Sequence, residues 1–154
     1  MRTMTSAVAT AALLFAAAAG PASAQTWYKP APASGVATGN LTFNTYWGPI
    51  SCTVSTPWML TGGYVRLGNI TLSGSSCSQI TVYQTFNMMI APSPPGPTYN
   101  AAIIMHWESP PGSGICVASQ AGLFDNSTST VTVYGGASCT FSGTLTFPGL
   151  QLLP

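Results

Sequence analysis

The stretch Thr130-Val131-Thr132-Val133-Tyr134-Gly135-Gly136-Ala137-Ser138-Cys139-Thr140-Phe141-Ser142-Gly143-Thr144-Leu145-Thr146-Phe147 decides the fold class. Its apolar and hydroxyl residues alternate with a period of two, the spacing that sends successive side chains to opposite faces of a strand. Residues 130–134 and 140–147 therefore read as two half-buried strands. Gly135-Gly136-Ala137-Ser138 between them is a turn-rich hairpin link.

The same period recurs upstream. Leu41, Phe43 and Thr45 alternate with Thr42, Asn44 and Tyr46. Residues 64–72 alternate until the phase shifts near Gly68, which predicts a bulge or bend. Ile80 to Ile90 is a long β-type run, and Ala101 to Trp107 is almost continuously apolar, as in a strand covered on both faces. Pro92-Ser93-Pro94-Pro95-Gly96-Pro97 and Ser109-Pro110-Pro111-Gly112-Ser113-Gly114 interrupt these runs. No amphipathic helix is evident after residue 24. The expected architecture is all-β: an antiparallel β-sandwich or open barrel of seven or more short strands.

The first 24 residues read as an export signal. Arg2 supplies a positive start, Ala7 to Ala19 an apolar run, and Ala22-Ser23-Ala24 a small-x-small cleavage pattern. Cleavage after Ala24 would leave a secreted or cell-surface protein with no transmembrane helix. The expected division is a signal peptide at 1–24, an extended arm at 25–37 and a single β domain at 38–154. Pro30, Pro32 and Gly35 exclude a helix from the arm, and its Trp27 and Tyr28 are large rings near the new terminus. Trp27, Tyr28, Pro30, Pro32 and Val36 are accordingly the candidate assembly residues.

Charge is scarce. The chain has three Lys and Arg, two Asp and Glu, and one His. After cleavage only Lys29, Arg66, Glu108 and Asp125 remain, with His106. Ordinary domains are roughly a quarter charged. No basic patch exists for nucleic acid and no polybasic stretch for anionic lipid, whereas near-zero net charge favours self-association.

Cys52, Cys77, Cys116 and Cys139 form an even set in a chain expected to be exported, which argues for two disulfides. Three connectivities are open. The sequential one, Cys52–Cys77 with Cys116–Cys139, is favoured because it brackets two stretches of similar length, and each bridge would contribute about 3 kcal/mol. No CxxC or neighbouring histidine suggests a metal site, and no cofactor motif is present.

The acid/base candidates are His106 and Glu108, two apart on a strand, with Asp125 as a third partner. Without a nucleophile motif they read as surface polar groups, so no enzymatic activity is expected; a small secreted hydrolase is the third-ranked reading. Asn40, Asn69 and Asn126 begin glycosylation triplets. Trp47, Trp58 and Trp107, with Tyr46, Tyr64, Tyr83, Tyr99 and Tyr134, would form either core or a carbohydrate-binding or adhesive platform; the core reading is favoured.

The block Ala137 to Leu150 resembles the closing segment of the secreted alkane-oxidation activator (PraB-type) family. Ile50-Ser51-Cys52-Thr53-Val54 and Asn69-Ile70-Thr71-Leu72-Ser73-Gly74-Ser75-Ser76-Cys77 fit the same pattern. The resemblance implies an extracellular accessory protein linked to growth on hydrocarbons, with no catalytic residues to carry over. The leading expectation is a structural or surface-active protein. Its partners would be further copies of itself, joined into fibres by strand donation, or an apolar surface or hydrocarbon that it coats.

Overall fold

The computed structural model describes residues 33–61, 64–85, 88–91, 98–110 and 112–152. The expected signal peptide and the candidate assembly residues Trp27, Tyr28, Pro30 and Pro32 lie outside them.

Among the described residues ten strands form one antiparallel sheet: β1 Ser34–Thr45, β2 Gly48–Thr61, β3 Tyr64–Leu67, β4 Thr71–Ser73, β5 Thr81–Thr85, β6 Met89–Ala91, β7 Thr98–Glu108, β8 Cys116–Asp125, β9 Thr130–Val133 and β10 Thr140–Thr146. The order is β3-β2-β1-β10-β9-β8-β7-β5, with β4 also on β2 and β6 also on β7. β1 pairs with β2, β2 with β3, and β6 to β10 pair in chain order, while among the described residues β3, β4 and β5 do not pair with the next strand in the chain. The last strand returns to the first through seven register pairs from Thr38↔Thr146 to Asn44↔Thr140. The sheet thus curls into an open barrel. Among the described residues its two ends meet at one bridge, Val65↔Met88, where both backbone hydrogen bonds form, at 3.3 and 2.8 Å.

Alternation decides which side faces in. Leu41 and Phe43 of β1, Val54 and Trp58 of β2, Ile103, Met105 and Trp107 of β7, Phe124 of β8, Val131 of β9 and Phe141 and Leu145 of β10 are all buried. The interior is aromatic. Phe43 meets Trp107 edge-on at 5.2 Å and Phe141 at 6.3 Å, and Trp58 meets Phe147 at 6.2 Å, geometries that aromatic quadrupoles favour. Phe147, Leu150 and Leu152 cover one end. Their segment is pinned by Asn126, whose amide donates to the Leu152 carbonyl at 3.0 Å and accepts from its N–H at 2.7 Å.

A row of register partners runs Ala101–Gly122–Val133–Gly143–Leu41–Cys52 across β7, β8, β9, β10, β1 and β2. Gly143 has φ +138°, and a Cβ there would sit 2.1 Å from the Asn40 carbonyl oxygen. Only glycine lets the β10 and β1 backbones lie this close without a clash.

Outward positions carry hydroxyls and amides. Thr42 bonds Ser51 at 2.8 Å, Thr53 bonds Asn40 at 3.1 Å and Thr132 bonds Thr144 at 3.2 Å, each across a strand pair. Such pairing builds a polar exterior without charge.

Several details differ from the sequence reading. β1 already begins at Ser34, so Val36 and Ala37, placed in the arm, pair with Pro57 and Thr56 of β2. β2 is a 14-residue strand despite Pro49 and Pro57. Pro57 is tolerated because its missing N–H faces the gap between β3 and β4 rather than a ladder partner, on the side where its carbonyl accepts from Gly68 N–H at 2.8 Å. The phase shift near Gly68 corresponds to the gap between β3 and β4. β8, which carried no strong β signal, is ten residues long.

Candidate functional site

One end of the barrel gathers the β1–β2 turn, the segment from β4 to β5, the β7–β8 loop and the β9–β10 loop. Both disulfides are here. Cys52–Cys77 ties β2 to the short 3-10 turn Cys77–Gln79, and Cys116–Cys139 ties the start of β8 to the β9–β10 loop. The sequential pairing is therefore the one the fold makes.

Thr45-Tyr46-Trp47-Gly48 forms the tip of this end. The Thr45 hydroxyl donates to the Gly48 carbonyl at 2.7 Å and accepts from Trp47 N–H at 3.1 Å. Gly48, at φ +123°, supplies a backbone conformation closed to other residues. The latch leaves Tyr46 69 % and Trp47 70 % exposed, in a T-shaped pair at 6.3 Å. The Tyr46 hydroxyl lies 3.6 Å from Cys139 Sγ, and the exposed Ile115 and Val117 flank the Cys116 half of that bridge.

This divides the aromatic set. Trp58, Trp107 and Tyr99 are core residues and belong to no platform. The indole nitrogens of Trp58 and Trp107 are buried with no hydrogen-bond partner among the described residues. Trp47, Tyr46, Tyr83 and Tyr134 are exposed, while the side chain of Tyr64 lies outside the described set.

The acid/base candidates do not converge. His106 and Glu108 both sit on β7, and the Tyr83 hydroxyl donates to the Glu108 carboxylate. That hydrogen bond, then burial, then the negative charge of Glu108, push the Tyr83 phenol above its usual value. Asp125 pairs with Thr98 at the opposite end of the 11-residue β7, a strand length of roughly 30 Å from Glu108. There it caps the β8–β9 turn, accepting from Ser127 N–H at 2.8 Å, Ser127 Oγ at 2.6 Å and Thr128 N–H at 3.4 Å. The Ser127 side-chain and backbone bonds are the main reason its carboxyl is held below the usual range. Among the described residues no three His, Cys, Asp or Glu side chains cluster as a metal site would require.

The second feature is the seam where the curled sheet fails to close. Below the Val65↔Met88 bridge, β4 pairs only with β2 and β5 only with β7 among the described residues. Between these two edges lies an open groove of about 540 Å³, lined by Ile70, Leu72, Gly74, Ile80, Thr81 and Val82 among others. Sequence reasoning did not find it, because it is made by which strands fail to pair.

The fold and its cross-links define a small disulfide-stabilised all-β domain built around a buried aromatic cluster. No family model, curated protein or solved structure matches the chain. Among the described residues no helix is long and apolar enough to cross a membrane.

Proposed function

We propose that this is a secreted, non-enzymatic structural protein that associates with itself outside the cell. The observation that carries this reading is the charge on the described surface. Glu108 is buried, so Arg66 and the partly buried Asp125 are the only Asp, Glu, Lys or Arg side chains left to it. Neither stands on β4 or β5, the edges that border the seam. Sheet edges are normally guarded by charge, because unpaired N–H and C=O groups recruit further strands. An uncharged exterior also lacks the self-repulsion that keeps domains apart. The resemblance to secreted alkane-oxidation activators adds a setting: an extracellular accessory protein in contact with hydrocarbon or with the surface that meets it.

The test is sedimentation velocity and negative-stain microscopy of the protein beginning at Gln25. Oligomers or filaments are expected at micromolar concentration. A monomer at every accessible concentration would refute the reading.

The exposed Tyr46–Trp47 pair favours a second reading, an adhesive or carbohydrate-binding module, in which the rigid tip stacks on a sugar face. A glycan screen in which Trp47→Ala abolishes a signal would support it.

A further inference from the structure

We infer that the seam between β4 and β5 is an acceptor groove for an extended strand, and that its occupant is the segment 25–29 of a second copy of this chain. The inference rests on the self-association proposed above and names its site.

The groove has what an inserted strand requires. Among the described residues Thr71–Ser73 and Thr81–Thr85 each pair on one edge alone, so backbone pairing is available on both sides. The two edges run in opposite directions, since every pairing along the path β4-β2-β1-β10-β9-β8-β7-β5 is antiparallel. An inserted strand would therefore run parallel to one and antiparallel to the other. Its floor mixes apolar and hydroxyl groups: Ile80 is buried, Ile70, Leu72 and Val82 are partly buried against the core, and Thr71, Ser78 and Thr81 line it beside them. Main-chain hydrogen bonds would give the affinity and the floor the register, as in other strand-addition complexes.

The occupant follows from where the described chain starts. Eight residues, Gln25 to Pro32, lie between the expected cleavage point and Ala33. They span roughly 26 Å when extended. Pro30 and Pro32 lack the N–H that ladder pairing needs, so Gln25-Thr26-Trp27-Tyr28-Lys29 is the part able to pair. Its five residues equal the length of β5. A neighbouring molecule is the better acceptor because of direction. The Ala33 carbonyl accepts from Leu60 N–H at 2.8 Å, so the chain is still running along β2 toward its far end. The groove lies beside Thr53–Ser55, further back on β2. To fill its own seam the arm would have to reverse and cross β2 and β3, whereas a strand continuing the line of β1 could enter the seam of another copy without that reversal.

The experiment replaces Trp27 with p-benzoylphenylalanine in the protein beginning at Gln25 and mixes ¹⁵N-labelled with unlabelled chains before photolysis. Peptide mapping should find cross-links joining labelled to unlabelled chains within 70–73 or 80–83. In parallel, Thr71→Lys puts a charge on the exposed outer face of the β4 edge. It should leave the circular dichroism spectrum unchanged and weaken association by about tenfold, equivalent to one lost polar contact. Oligomers whose cross-links fall elsewhere or stay within one chain, or that tolerate Thr71→Lys, overturn the seam assignment and leave self-association standing. Protein that is monomeric throughout overturns both.

Discussion

Gly143 and Gly136 lie seven residues apart in the same hairpin and test opposite demands. Gly143 stands where a Cβ would strike a carbonyl on β1, at a φ closed to side chains; Gly136 has open space around it. Gly143→Ala should cost more than about 1 kcal/mol in urea unfolding, because the backbone itself must move. Gly136→Ala should stay within about 0.5 kcal/mol. Asp125 makes a different prediction. Its carboxyl is held low in the folded protein by Ser127 and Thr128, so it favours folding above the ordinary carboxylate range. That contribution should fall away as pH drops through that range and on through the lowered folded value. Asp125→Asn should therefore flatten the acid limb of a plot of stability against pH and change little at the alkaline end.

At the scale of elements, the disulfides and the strands they join matter most. Cys116–Cys139 closes a separation of 23 residues and Cys52–Cys77 one of 25, so removing either by paired Cys→Ser substitution should cost about 3 kcal/mol, read by thermal or chemical denaturation. Asn126 plays a comparable part at the other end. Asn126→Ala removes both hydrogen bonds to Leu152 and should destabilise by about 1–3 kcal/mol, with faster amide exchange at Leu152. Legibility varied from strand to strand for a physical reason. β9 and β10 alternate Val, Phe or Leu with Thr, a pattern written in local chemistry. β8 reads Cys-Val-Ala-Ser-Gln-Ala-Gly-Leu-Phe-Asp, and its small residues have little intrinsic preference for a strand. It is extended because β7 and β9 flank it, with ten register pairs on the β7 side. Gly122 is part of that fit: a Cβ there would lie 2.2 Å from the Thr132 carbonyl oxygen.

At the scale of the whole molecule, the scarcity of charge has a measurable consequence. Ion pairs between subunits would weaken as salt rises. Association through backbone pairing and apolar contact should not, so the oligomer distribution in sedimentation velocity should be nearly unchanged between low and physiological ionic strength. The candidate sites became legible only at this scale. Trp47, Trp58 and Trp107 are alike in sequence, yet the first is exposed on a hairpin tip and the other two are sealed in the core. His106 and Asp125 looked combinable, yet β7 and β8 hold Asp125 at the far end of the barrel wall.

By itself the sequence determined the period-two pattern, and hence an all-β chain with one apolar and one hydroxyl face, an even cysteine set and an exterior nearly without charge. These are properties of neighbouring residues or of composition, and they need no knowledge of what packs against what. Tertiary structure alone decided the 14-residue β2, the extended state of β8, the close approach at Gly143, the split among the tryptophans and the seam below Val65↔Met88. Each depends on which strands lie side by side, and an unpaired edge exists only once all the others have found their partners.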